Sequence, residues 1–342
     1  MAGLEGRRKP PPDILLPSPT VEVMQERPTA PVSVVLPTRE WTDACAEVAA
    51  QTAPDDEFVI ACDDSHDPVV EAAAETAATV VVAGEPAGCS AKCNALAAGI
   101  ERATHDRVVC TDADFRHGDE WLATVRRRLA ALPEGHVLST APILVSEGAL
   151  GKLLEPLSAV GVASSVRFNT GVWGGTMAFR RGDIDVDGFV GDLRRTVGDD
   201  ALLAERAEGI ETARSLVREM PVDGTLRETL SRRVRWTRMG LYLDPAGVAS
   251  RMLTALAVLL GALLAPFVTV PLVTGVTAAA YAALGHRRWT FLLAVPGYAL
   301  SLACLCYGLA HDEFEWTGRR YRWTALYDVT VCDRTERERP AE

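Results

Sequence analysis

RVVCTDADF, Arg107 to Phe115, is a short apolar run that stops at two carboxylates one residue apart. Val108, Val109 and Cys110 read as a buried strand, and side chains two apart on a strand leave the same face, so Asp112 and Asp114 are expected to converge. Two converging carboxylates need a positive partner. A divalent cation is the usual one, and hard oxygen ligands suit Mg²⁺ or Mn²⁺, which in turn bind a phosphate-bearing substrate. The same pattern also describes solvated turn residues after a strand, so its meaning rests on the surrounding chain.

Upstream, Val32 to Leu36, Phe58 to Cys62 and Thr79 to Val82 are three further β-branched or apolar runs. Between them Trp41 to Gln51, Pro68 to Thr76 and Ala91 to Arg102 have helical spacing. Alternating strands and helices predict parallel βαβ units in a doubly wound sheet. Such sheets bind ligands beyond the carboxyl ends of their strands, which is where Asp63, Asp64 and Asp67 also fall. An acidic turn and helix cap is the structural alternative for those three. No G-x-G-x-x-G follows the first strand and no G-x-x-x-x-G-K-[ST] occurs, which disfavours dinucleotide and Walker-type phosphate cradles.

Downstream, Glu120 to Ala131 reads as a helix with a solvated arginine face, and Val137 to Leu144 as a strand. GVWGGTMAFRR, Gly171 to Arg181, sets glycines beside Trp173, a pattern that lets a ligand approach backbone under an aromatic face and equally fits a turn before a core strand, Thr176 to Phe179. Asp199 and Asp200 precede a helical stretch, Ala201 to Glu208, where a carboxylate is often only a cap. In Leu226 to Leu243, Arg227, Arg232, Arg233, Arg235 and Arg238 alternate with apolar and aromatic residues, the composition of a helix lying in a membrane interface. Met252 to Leu284 is an apolar stretch interrupted by Pro266, Pro271 and Gly275, and Phe291 to Ala310 is a second run. About twenty apolar residues span a bilayer, so the second run makes one crossing and the first leaves two or three crossings open in total. FEWTGRRYRW, Phe314 to Trp323, is expected to be an interfacial anchor returning to the bilayer surface, and the last residues a charged tail.

The chain has 342 residues, 48% of them hydrophobic, and a mean hydropathy of +0.08, high for a fully soluble protein. Net charge is -11 and only three residues are lysine, Lys9, Lys92 and Lys152, so an acidic surface argues against a nucleic-acid partner. Eight scattered cysteines fit a reducing compartment better than a disulfide framework, and Cys89 and Cys93 lack the second Cys/His pair of a zinc site. Residues 1–30 are rich in proline and charge with no apolar run, and are expected to be a flexible tail that leaves the catalytic part in the cytoplasm. The expected organisation is therefore a tail (1–30), a catalytic domain with its interfacial helix (31–245), transmembrane helices (246–311) and a cytoplasmic interfacial segment and tail (312–342).

Asp63-Asp64, Asp112-Ala113-Asp114, Asp199-Asp200 and Arg232-x-x-Arg235-Trp236, in that order before a membrane segment, resemble the membrane-associated family 2 glycosyltransferases, particularly ceramide glucosyltransferase-like, non-processive enzymes. The opening VSVVLPTRE, the Lys92-Cys93-Asn94-Ala95-Leu96 stretch and GGTMAFRR are similar to that family too. The resemblance implies an α/β GT-A, Rossmann-like nucleotide-sugar-binding domain with a C-terminal helical transmembrane region, in a multi-pass protein of the cell membrane. It implies that Asp63, Asp64 (the better match), Lys92 and Asp112 hold the nucleotide of a UDP- or GDP-sugar, and that Asp112 and Asp114 hold Mn²⁺ or Mg²⁺ on its diphosphate. Asp200 would be the general base, with Arg232, Arg235 and Trp236 closing over the leaving group and Trp173, Asp199 and Trp236 facing a membrane lipid acceptor. Two features depart from the family: Ala201 stands where an aromatic is common, and no N-terminal membrane helix is seen.

The chemistry follows from the residue types as well. Cleaving a sugar-diphosphate bond passes through an oxocarbenium-like transition state, and cations stabilise the charge on the leaving group. A hydroxyl acceptor needs a carboxylate to take its proton from the opposite face, which gives inversion. A polyprenyl phosphate acceptor would need no base, so retaining Asp200 favours a hydroxyl-bearing lipid. A processive synthase would need a larger membrane part, a nucleotidyltransferase a glycine-rich first loop that VVLPTREW lacks, and a non-catalytic membrane-anchored nucleotide-binding scaffold would have lost motif members that are all present.

Overall fold

The structure, a computed structural model, describes residues 30–222 and 225–334. The N-terminal tail and most of the charged C-terminal tail expected from the sequence lie outside the described residues. A seven-stranded sheet is built from β1 (Val32–Pro37), β2 (Glu57–Cys62), β3 (Thr79–Val82), β4 (Arg107–Cys110), β5 (His136–Ser139), β7 (Met177–Arg180) and β8 (Gly209–Thr212), in the order β3-β2-β1-β4-β7-β5-β8. A separate two-stranded ribbon pairs β6 (Ile143–Val145) with β9 (Glu219–Pro221). β7 runs antiparallel to both its neighbours, β4 and β5, so the sheet is mixed where alternation predicted all-parallel pairing. The expected strand Val137 to Leu144 is two strands in two sheets, because the chain leaves β5 at Thr140 and re-pairs from Ile143 with β9.

Period-two alternation divides the core. Val32, Val34, Leu36, Phe58, Ile60 and Val109 face α1 (Asp43–Gln51), α2 (Pro68–Ala73) and α4 (Trp121–Ala131). Val35, Val59, Val108 and Cys110 face the opposite layer, α3 (Ala91–Arg102), α6 (Val186–Leu193) and α7 (Asp199–Arg206). Strands buried on both faces read as continuous apolar runs, which is why they were visible in the sequence.

Beyond the sheet, α5 (Ala149–Phe168) and α8 (Leu226–Leu243) pack on three apolar helices, α9 (Pro245–Leu264), α10 (Pro266–Leu284) and α11 (Ala294–Ala310). The long apolar stretch is thus two helices. Ala265 leaves helical geometry and Pro266, lacking an N–H, starts the next helix, whereas Pro271 is accommodated inside it. Taking α11 with the short turn Trp289–Leu293 that precedes it, three segments among the described residues are long and apolar enough to cross a membrane. At Gly308 of α11 an added Cβ would collide with Thr237 Oγ1 of α8, so the two helices touch backbone to side chain.

The chain then forms a three-stranded antiparallel sheet, β10 (Glu313–Trp316), β11 (Arg319–Ala325) and β12 (Asp328–Arg334). This differs from the expected interfacial anchor. Phe314, Tyr321 and Trp323 alternate onto one face and are buried against Val197 of the catalytic domain and Val234 of α8. Antiparallel pairing puts every second residue on one side, and that side has found a protein surface.

Candidate active site

Lys92, in the first turn of α3, joins two of the acidic motifs. Its ammonium stands 2.6 Å from Asp112 Oδ1 and 2.9 Å from Asp199 Oδ2. The helix is set there by Ser90, whose hydroxyl accepts from the Cys93 N–H at 3.1 Å and caps the first turn. Gly174, next to Trp173, completes the contact. A Cβ on it would lie 2.6 Å from both Asp112 Oδ2 and Lys92 Nζ, so the backbone runs directly over the ion pair. The glycines beside Trp173 are thus packed on protein charges.

The D-x-D motif sits in a turn after β4, with Phe115 N–H donating to Asp112 C=O at 3.3 Å. Same-face strand geometry therefore does not apply to it: Asp112 turns inward to Lys92, while Asp114 is exposed. Thr111 holds the turn, its hydroxyl donating to Gly175 C=O at 2.7 Å and lying 2.7 Å from buried His117 Nε2.

Asp112, Asp199 and Asp200 share Lys92 and Arg235 as cations, and Asp114 adds its charge beside Asp112. Burial raises Asp112 to about 6, Lys92 holds it down, and Asp114 and Asp199 push it further up. Burial likewise raises Asp200, with Asp199 adding to it, to about 7. Lys92 is held well above its usual value by Asp112, Asp199 and Asp200 in spite of burial. The set has more carboxylates than cations, offers hard oxygens, and keeps two of its acids from ionising at ordinary carboxylate pH. A divalent cation would relieve that state, and the Asp112 and Asp114 carboxylates offer hard oxygen donors suited to Mn²⁺ or Mg²⁺. Among the described residues no three His, Cys, Asp or Glu side chains cluster tightly enough to hold an ion by themselves.

The α8 motif delivers Arg235 to this cluster. Burial lowers its guanidinium to about 10 while Asp200, Asp199 and Asp112 hold it up. Trp316, from the sheet after the membrane helices, lies over it with the guanidinium carbon 3.7 Å from the ring centroid. Trp236 meets Trp173 edge to face, centroids 5.5 Å apart, with Arg232 5.8 Å and Arg233 5.4 Å above its ring. The arginines expected to face lipid headgroups find protein partners: besides Arg235, Arg238 donates to His311 C=O at 2.8 Å and Arg227 pairs with Glu315.

Asp63 and Asp64 separate. Asp63 is 5% exposed and accepts from Arg319 at 3.0 Å, whereas Asp64 is exposed and accepts from the His66 N–H at 2.8 Å. Burial keeps the Asp63 acid raised even against Arg319. The structure thus gathers Lys92, Asp112, Asp199, Asp200 and Arg235 into one cluster, with Trp173 and Trp236 beside it and Asp63 at the end of β2. Trp316, Arg319 and Tyr321 were not legible as site residues, since they lie in a segment whose aromatics and arginines matched a membrane surface equally well.

No curated protein matches the chain. Among solved structures it is similar to the mannosyltransferase PcManGT from Pyrobaculum calidifontis in complex with GDP-Man and Mn²⁺, at 19% identity over 82% of this chain and 85% of that one, TM-score 0.44. It is also similar to mannosyl-3-phosphoglycerate synthase from Rubrobacter xylanophilus, at 18% identity over 63% and 75%, TM-score 0.40. A third likeness is S. aureus TarS 1-349 in complex with UDP-GlcNAc, at 12% identity over 90% and 100%, TM-score 0.39. The profile of glycosyl transferase family 21 matches residues 24–325, taking in the mixed sheet, all four motifs and the three apolar helices. The resemblance to ceramide glucosyltransferase-like enzymes holds at the level of that family, and the chain belongs to it: it is a GT-A glycosyltransferase of family 21.

Proposed function

We propose that the protein is an inverting, metal-dependent, non-processive transferase that moves one sugar from a UDP- or GDP-sugar to a hydroxyl on a lipid or lipid-linked acceptor. The observation that carries this reading is Asp200. It is half-buried, raised to about 7 by burial and by Asp199, and in electrostatic contact with Lys92, Asp112 and Arg235. A carboxylate tuned near neutrality is matched to accepting a proton from an alcohol.

In this reading Asp200 takes the acceptor hydroxyl proton as the oxygen bonds to the anomeric carbon. The sugar-phosphate bond breaks on the opposite face, its electron pair leaving on the diphosphate. Arg235 and Arg232 stand where that negative charge develops. Asp112 and Asp114 would hold the metal, which supplies charge neutralisation at the diphosphate when bound. Lys92 keeps Asp112 and Asp199 in place, and Trp173 and Trp236 supply an apolar wall for the acceptor.

Two of the three apolar helices, α9 and α11, pack against α8, which carries Arg235 and Trp236, so an acceptor arriving laterally from a bilayer would meet the site at that helix. We assign the catalytic domain to the cytoplasmic face of the cell membrane, where nucleotide sugars are available, with residues 31–245 as the catalytic unit and the three helices as its anchor.

The test is donor turnover by detergent-purified protein with a panel of UDP- and GDP-sugars, Mn²⁺ or Mg²⁺ and membrane lipid extract, with Asp200→Asn beside it. Metal-dependent transfer to lipid that is lost in Asp200→Asn is expected. Transfer that survives in the variant would point to a polyprenyl phosphate acceptor, and absence of nucleotide release from every donor would point to a non-catalytic scaffold.

A further inference from the structure

The sheet that follows the membrane helices reaches three separate parts of the site. Trp316 covers Arg235. The Tyr321 hydroxyl accepts from the Ala91 N–H at 3.2 Å, at the start of α3 and one residue before Lys92. Arg319 donates to Asp63 at 3.0 Å and to Glu85 at 2.5 Å. Alternation explains why one strand does this: Arg319, Tyr321 and Trp323 are the buried residues of β11, while Arg320, Arg322 and Thr324 are exposed.

Arg319 is 4% exposed and Asp63 5%, at the carboxyl end of β2, where open α/β sheets bind their ligands. Burying a guanidinium is costly unless its donors are satisfied. Asp63 and Glu85 take the two terminal nitrogens, but Arg319 Nε is buried with no hydrogen-bond partner. Beside a carboxylate, it makes a paired donor and acceptor face.

We propose that this C-terminal sheet is the nucleoside-recognising wall of the donor site, and that Arg319, anchored by Glu85, works with Asp63 to select a base that shows a ring N–H beside a carbonyl. The inference rests on the nucleotide-sugar reading above. Uracil offers N3–H flanked by O2 and O4, and guanine offers N1–H beside O6. In either case the carboxylate accepts the ring N–H while the guanidinium donates to the carbonyl. Cytosine and adenine present an unprotonated ring nitrogen beside an amino group, which leaves the buried carboxylate without a ring donor to accept. A site built on hydrogen bonds rejects such a mismatch strongly.

The experiment is calorimetric titration of the full chain in detergent with UDP, GDP, CDP and ADP in the presence of Mn²⁺, for the wild type, Arg319→Lys and Glu85→Gln. The wild type is expected to bind UDP or GDP about tenfold or more tightly than CDP and ADP. Arg319→Lys keeps the charge but loses the planar fork, so that preference should collapse to about threefold or less, through weaker binding of the preferred nucleotide. In transfer assays the loss should fall on donor KM, with kcat little changed. Glu85→Gln leaves Asp63 and Arg319 in place and should lower the preference in the same direction. It decides the matter if the lysine variant does not fold.

Equal wild-type binding of all four nucleotides, or an unchanged preference in a folded variant, overturns the proposal while leaving the transferase reading intact. Failure of the wild type to bind any of the four overturns both.

Discussion

Lys92 Nζ and Asp199 Oδ2 are 2.9 Å apart, a contact that joins the start of α3 to the start of α7, and the same ammonium reaches Asp112 at 2.6 Å. Removing the cation leaves two buried carboxylates without their common partner. Lys92→Met should therefore cost about 3 kcal/mol of stability, the scale for stripping one partner from a buried pair. Thermal unfolding in detergent checks this, and the loss should shrink toward acid pH as Asp112, raised to about 6, takes up its proton.

Gly174 lies over that ion pair, and an alanine Cβ would come within 2.6 Å of Asp112 Oδ2 and Lys92 Nζ. Gly174→Ala should cost about 1–3 kcal/mol by overpacking and weaken donor binding. The readouts are the unfolding midpoint and the donor KM; Gly182→Ala, whose added Cβ meets nothing within 4 Å, is the matched control.

Asp200 is raised by burial, and by Asp199, to about 7. As a base it must be ionised, so transfer should rise with pH through about 7 and level off above. The sign for stability is opposite: with the folded pKa above the ordinary carboxylate value, the native state binds more protons across roughly pH 4 to 7, and stability falls as pH rises through that window. Asp200→Asn removes the fall. It should be inactive yet more stable than wild type above pH 7, by on the order of 1 kcal/mol, measured by thermal unfolding across pH.

Trp316 over Arg235 is a cation–aromatic contact at 3.7 Å in a desolvated place. Trp316→Ala should slow transfer by about tenfold, equivalent to about 1.4 kcal/mol, within the range for such contacts. Trp316→Phe should recover most of the rate, since a ring face remains.

Chelation with EDTA should abolish transfer, and Mn²⁺ or Mg²⁺ should restore it. Asp114 is exposed, so Asp114→Asn should leave stability within about 0.5 kcal/mol of wild type while raising the metal concentration needed for half-maximal rate.

Most strands and helices of the sheet domain were legible because each is a local pattern. Val32–Pro37 and Arg107–Cys110 are buried on both faces and show as unbroken apolar runs, and Ala91–Arg102 has a helical period with Ser90 as its cap. The sense of β7 was not legible, because antiparallel pairing with β4 depends on where α5 returns the chain, and a strand's residue pattern carries no direction. Helix α5 itself was missed, since small residues and Pro156 dilute its period and its burial comes partly from Tyr281 of α10. The strand pairing of FEWTGRRYRW was not legible because alternating aromatics and arginines satisfy a bilayer surface and a protein surface alike.

The sequence by itself determined the mixed composition, the apolar helices and the order of the acidic and arginine motifs, which are properties of neighbouring residues along the chain. Only the tertiary structure decided that Lys92 serves both Asp112 and Asp199, that Asp63 rather than Asp64 turns inward, and that Arg319 reaches Asp63 across 256 positions. Charge pairing depends on distance in space, and residue types alone carry no information about which distant cation a buried carboxylate will meet.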